Sequence, residues 1–235
     1  DALHKNIIRT HAVIAKNGLK IGLFALMGVD AAEVAPFAAP VKFADRIETA
    51  KKMVHLLHTE NKADLIICLS HCGLTPRAGK DSEDEELAKK VSGIDIIISG
   101  HTHTKLDTPL VINNTIIVQS WEYGKRVGIL DIAIKNGKAV IESYVSRTVD
   151  DTIVGDAAIQ RMLTEHIGVI EKKILGQYGF SYDMKIAKTA FDIDYEEKPG
   201  EYPMGNLIAD SLRWYANKYA FDPKDPETKV VAAVA

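Results

Sequence analysis

Two stretches of this chain, ADLIICLS (63–70) and IDIIIS (94–99), are almost unbroken apolar runs where a strand with one wet face would alternate. Such runs predict strands covered on both faces, as in a parallel sheet. Between them, SEDEELAKKVSG (82–93) opens with an acidic first turn, suited to the positive end of a helix dipole, and stops at Gly93. Residues 63–99 therefore predict a β-α-β unit with a right-handed crossover. Upstream, HAVIAKNGLKIGLFALM (11–27) reads as two β-segments around the turn KNG, and VDAAEVAPFAAP as irregular chain punctuated by two prolines. FADRIETAKKMVHLLHTE (43–60) places Ile47, Ala50, Val54 and Leu57 three or four residues apart, a helical spacing. His55 and His58 ride on that helix as solvent-facing residues, a metal pair being the other reading.

Downstream, PLVINNTIIVQS, GILDIAIKNG and KAVIESYVS carry turn signals at Asn113-Asn114 and Asn136-Gly137, which predicts an antiparallel meander. Residues 150–176 form one long amphipathic helix, a natural connector, with His166 on its surface. From 186 an extended piece, a Pro/Gly break and a helix from about Met204 begin something new. The closing KVVAAVA reads as an apolar strand.

A chain of 235 residues holds one large domain, or one domain and part of a second. A net charge of −3 excludes the basic footprint of a nucleic-acid binder or a polybasic membrane patch. Apolar runs stop short of the roughly 18 residues that a membrane span needs. Cys68 and Cys72 make no disulfide framework. They read as buried thiols beside a site, with metal ligation or a disulfide as the alternatives.

The chemistry concentrates in DIIISGHTHT (95–104). Both predicted parallel strands run straight into histidine: His71 after the first, His101 and His103 after the second. Neighbouring strands lie roughly 4.8 Å apart, and open α/β sheets bind ligands at the carboxyl ends of their strands. His71 and His101 are thus placed to share one metal ion at about 2.0–2.1 Å. In an extended segment His103 would project to the same side about 6.5 Å further along. That offset suits a second ion roughly 3.5–4 Å from the first, as in two-metal hydrolytic sites. Gly100 would let the backbone turn sharply there. One histidine after a strand is ordinary hydrogen-bonded filler; three at two adjacent strand ends point to a site.

DLIICLSHCGLT, ELAKKVSGIDIIISGHTHT and IIVQSWEYGKRVGILDIAI, in that order, closely resemble the 5'-nucleotidase family of calcineurin-like metallophosphoesterases. EYPMGNLIADSLRWYA resembles the opening of that family's C-terminal substrate domain, in which Gly-Asn-Leu is followed three residues later by aspartate. The resemblance implies an α/β fold. Residues 1–148 would be the C-terminal part of a mixed-sheet metallophosphoesterase sandwich, 149–185 a linker helix, and 186–235 the start of a second α/β domain. It implies two divalent metal ions (zinc, manganese or similar), with His71 and His101 as ligands of one and His103 of the other. Asn206 and Asp210 match the substrate-domain signature and read as structural, at a helix start and in interdomain packing.

The family's Asp-x-His, Gly-Asp and Gly-Asn-His elements, which supply the bridging carboxylate and the catalytic histidine, are not found here. The DALH at residues 1–4 has the wrong spacing and reads as helix. The expectation is therefore an internal piece of a two-domain enzyme, carrying no catalytic residue of its own and by itself nearly inactive. The implied substrate is a small nucleotide, and the implied setting periplasmic, envelope-bound or extracellular. 5'-Nucleotidase, UDP-sugar hydrolase, 2',3'-cyclic phosphodiesterase and sulfur-ester hydrolase activities all occur on this architecture. Two other readings stand beside it: a non-catalytic domain holding a structural or regulatory metal, and an α/β interaction module whose histidines are core filler.

Overall fold

A computed structural model describes residues 9–75, 81–193 and 201–233, so the DALH segment lies outside the described residues. The chain separates into two units, Asp1–Val154 and Gly155–Ala235.

In the first unit, Asn17 and Gly18 both take left-handed backbone conformations (φ 51° and 80°). This is the turn that lets Ala12–Lys16 (β1) return as Leu19–Met27 (β2). β2 then pairs in parallel with Leu65–His71 (β3), which pairs in parallel with Ile96–Ser99 (β4). Leu110–Ile112 (β5) and Thr115–Val118 (β6) form a hairpin, and β6 adds to β4 in parallel. The result is a six-stranded mixed sheet ordered β1-β2-β3-β4-β6-β5. The predicted single meander is therefore divided: Arg126–Lys135 (β7) and Lys138–Thr148 (β8) pair with each other in a separate two-stranded sheet. Asparagine turns mark hairpins, but they carry no information about which sheet a hairpin joins.

The apolar runs do cover both faces. Ile66, Cys68, Ile97 and Ile117 pack with Leu57 of the helix Arg46–Thr59 (α2) and with Leu87 and Ala88 of Glu83–Lys90 (α3). Their strand neighbours Leu65, Ile96, Ile116 and Val118 pack instead against Leu130, Ile132, Ile141 and Tyr144 of the β7–β8 hairpin. Helices lie on one face of the sheet and a hairpin on the other, so neither face needs polar positions. His55 and His58 are exposed on α2.

α3 is started by a capping box: Ser82 Oγ accepts the Glu85 N–H, and the Glu85 carboxylate accepts the Ser82 N–H. Val29–Glu33, expected to be irregular, is a one-turn helix (α1). Its first N–H groups, from Val29 and Asp30, donate to the Glu83 carboxylate at 3.0 and 3.1 Å, and Arg46 donates to the same carboxylate at 2.9 Å. A cap supplied from 53 residues away is invisible to a local pattern.

In the second unit, Asp156 caps Ala157–Lys173 (α4), accepting from the Ala158 and Ile159 N–H groups. The helix starts later than the pattern predicts, at the Asp156 cap; the expected first residues, in the first unit, hold a local turn in which the Asp150 carboxylate accepts the Thr152 N–H and hydroxyl. His166 is exposed on α4. Pro203–Tyr219 (α5) begins on an uncapped Tyr202, so Asn206 is inside the first turns and not the helix cap; Asp210 is exposed and pairs with Arg213 at 2.9 Å. Residues 229–233 are not a strand: Val230 N–H and C=O are both taken by the Asn217 side chain, at 2.9 and 2.8 Å.

Candidate functional site

The register of the sheet sets the site. Ser70 pairs with Ser99 across β3 and β4, so His71, the last residue of β3, stands beside Gly100, the first residue past β4. A Cβ on Gly100 would stand 3.2 Å from His71 Nδ1. Gly100 therefore serves close approach of the imidazole, and the sharp turn predicted at it falls elsewhere. His101 and His103 themselves take positive φ (70° and 52°), and the Thr102 N–H donates to Gly100 O at 2.9 Å. Left-handed backbone at non-glycine residues is uncommon and costly. The segment after β4 is a tight double turn, not the extended strand that a same-side projection of His103 requires.

The structure brings His71 and His101 together, with ring centroids 5.0 Å apart and planes tilted by 54°. His101 Nε2 lies 3.5 Å from Asp30 Oδ2, on α1. His103 rests on the loop after β6: its ring meets Tyr123 edge-on at 4.8 Å, and Nδ1 lies 3.4 Å from Glu122 Oε2. That loop is itself contorted, with Trp121 and Tyr123 both at positive φ and the Lys125 ammonium over both rings.

Beneath the histidines lies a buried polar clamp. Asp84, on the first turn of α3, is fully enclosed (0% exposed). Its carboxylate accepts the Ser70 hydroxyl at 2.5 Å, the Ser99 hydroxyl at 2.6 Å and the Gly73 N–H at 3.1 Å. Burial pushes the Asp84 carboxyl above the usual carboxylate range, and those three donors pull against the shift. Cys68 and Cys72 are both buried and free. Burial pushes the Cys72 thiol up to about 12 and raises Cys68 further, which leaves them as thiols at neutral pH.

Asp84, Asp30 and Glu122 were not singled out from the sequence. For Asp84 a signal existed: residues 84, 87, 88 and 91 form one helical stripe, and Leu87, Ala88 and Val91 are all buried. An acidic residue on an apolar stripe is a candidate for a buried carboxylate. For Asp30 and Glu122 there was none, because both reach their histidines only through tertiary packing.

The fit to a metal ion can be tested on the donors. With nitrogen about 2.0–2.1 Å from a shared ion, two imidazole rings have centroids about 4.5–5 Å apart. The His71–His101 pair meets that spacing. A carboxylate beside a ligating imidazole is the usual partner for its second nitrogen, and Asp30 stands in that position. Among the described residues, no group of three or more His, Cys, Asp or Glu side chains is arranged to hold an ion. The residues present fit as part of a donor set.

Residues 15–105 match the family described as calcineurin-like phosphoesterase. The trifunctional nucleotide phosphoesterase protein YfkN of Bacillus subtilis (strain 168) is 37% identical over 213 residues, covering 87% of this chain and 14% of that protein. A 5'-nucleotidase of Vibrio cholerae serotype O1 is 28% identical over 167 residues, covering 61% of this chain and 30% of that protein. The chain thus spans well under half the length of these relatives. The crystal structure of a 5'-nucleotidase precursor from Thermus thermophilus superposes with a TM-score of 0.72 at 24% identity, over 92% of this chain and 44% of that one. At that identity the likeness speaks to the fold, and it agrees with the mixed sheet described above. Residues 15–105, with His71 and His101 at the carboxyl edge of their sheet, form a calcineurin-like metallophosphoesterase domain.

Proposed function

We propose that the histidine edge of this domain holds divalent cation, His71 and His101 sharing one ion and His103 facing a second, and that the enzyme it belongs to hydrolyses phosphate esters of nucleotides. The observation that carries this is the 5.0 Å approach of His71 and His101 from the ends of two parallel strands. Asp30 stands 3.5 Å from Nε2 of His101, the side on which a carboxylate would orient a ligating imidazole. The Gly100 and Gly73 backbones let the two loops close on each other, and the left-handed turn at His101 sets the direction in which its side chain leaves the backbone. Bound there, a divalent ion supplies Lewis acidity toward a phosphoryl oxygen and acidifies a water.

Imidazole ligands bring no negative charge to offset a dication. On the donors described, this chain binds metal weakly and turns over little by itself. We assign residues 1–148 to the phosphoesterase domain, 149–185 to a linker and 186–235 to the start of a substrate domain. The family resemblance adds the expectation of an exported or envelope-bound enzyme. The names of the relatives support nucleotides as the substrate class, 5'-nucleotidase activity first among them. The test is phosphate release from a nucleoside monophosphate, with and without a chelator, by this chain and by a polypeptide of the relatives' length that carries it. Chelator-sensitive release by the longer protein that His101→Ala abolishes is the expected result. Release that survives both the chelator and that substitution would remove the metal from the account.

A further inference from the structure

We infer that Asp84 is the positioning residue that sets the spacing of His71 and His101, so that the capacity of the site for a divalent cation depends on a carboxylate that touches neither the ion nor substrate. The inference rests on the metal-holding reading above and extends it to a residue outside the donor set. Ser70 is the residue before His71 and Ser99 is two before His101; the two serines are register partners at the last paired position of β3 and β4. Asp84 takes one hydroxyl on each carboxylate oxygen. The same side chain accepts the Gly73 N–H, just past His71, while the Asp84 N–H donates back to Gly73 O at 3.1 Å. One buried group from a helix thus joins both strand ends and the His71 loop.

Its surroundings give it little room to move. Asp84 is 0% exposed, and the stripe below it, Leu87, Ala88 and Val91, is packed into the core. A buried carboxylate is costly unless each oxygen is hydrogen-bonded. Here both are, by donors that themselves sit at the ends of the histidine-bearing strands. A core position held only for packing would be filled better by an apolar residue of similar size.

The experiment compares the chain with Asp84→Ala, Asp84→Asn and Ser99→Ala. In the metal-free state, the ring carbon–proton resonances of the eight histidines are recorded by NMR; with metal, the affinity for cobalt(II) is read from its visible absorption. Asp84→Ala should displace or broaden the His71 and His101 resonances, leave those of His55, His58 and His166 in place, and weaken cobalt(II) binding about 10-fold or more. Asp84→Asn, which keeps one acceptor oxygen and can pair with the reoriented hydroxyls, should restore most of both signals. If Asp84→Ala does not fold, Ser99→Ala carries the same readouts, with a smaller shift centred on His101. A folded Asp84→Ala chain with unmoved His71 and His101 resonances would overturn the inference. So would a Ser99→Ala chain with an unmoved His101 resonance. A wild-type chain that binds no cobalt(II) would refute the metal-holding reading instead, and the metal-free resonances would still decide whether Asp84 positions the pair.

Discussion

Thr102 occupies the space into which any side chain on Gly73 would grow. A Cβ there would overlap the Thr102 methyl and lie 2.8 Å from its hydroxyl oxygen, and Gly73 already holds φ at +97°. The Leu74 N–H donates to that same hydroxyl at 2.8 Å. Gly73 follows His71 by two residues and Thr102 lies between His101 and His103, so this contact is where the two histidine loops are fastened.

Gly73→Ala should therefore cost about 2 kcal/mol or more, from left-handed strain and overpacking together. Adding Thr102→Ser should remove the overlapping methyl while keeping the hydroxyl that Leu74 uses, and leave the strain, giving a partial rescue in urea denaturation. Wild-type stability in Gly73→Ala would mean that the loops are not in contact as described.

The two thiols should be inert in the native state. Burial holds Cys72 at about 12 and Cys68 higher, so a disulfide reagent at pH 8 should react only as fast as the protein opens. Full reaction should follow on addition of denaturant. Rapid labelling of either cysteine without denaturant would contradict their burial.

Glu86 gives an acid-side signature. Its hydrogen bonds from Lys90 first and Arg46 second lower its carboxyl from 4.5 to about 2. A folded-state value below the unfolded one contributes stability above about pH 4.5 and loses it as pH falls toward 2. Thermal melts of Glu86→Gln should thus run below wild type at pH 6 and converge with it near pH 2. A gap that stays constant across that range would show that the pairs do not shift the group.

His103 should be separable from the other two. It lies against Tyr123 and Glu122, whereas His71 and His101 lie against each other. His103→Ala should leave the first metal-binding event of a calorimetric titration nearly unchanged and remove the weaker second one. Loss of the first event in His103→Ala would place all three rings on one ion.

The parts legible in the sequence were those with a local cause. Leu65–His71 and Ile96–Ser99 are apolar on both faces because helices cover one and a hairpin the other, and their continuous runs say so. The Asn-Gly turn at 17–18 and the helical stripe of α2 were equally readable. What escaped the sequence depends on residues far apart in the chain. α1 is capped by Glu83, and the two downstream hairpins go to different sheets. The backbone after β4 doubles back at His101 and His103; histidine tolerates left-handed backbone better than most side chains, but that tolerance does not mark where a turn will fall. Asp84 was hidden among Glu83, Glu85 and Glu86, a run that suits a helix start. Only its place on the buried stripe set it apart.

The central claim is that His71 and His101 act on one cation, and titration of manganese(II) into the chain, His71→Ala, His101→Ala and the double variant tests it most directly. Each single substitution should weaken the same binding event about 10-fold or more, and the double should add much less than the sum, because ligands of one ion do not act independently. A single variant that binds as wild type does, or a double variant whose losses simply add, would contradict it.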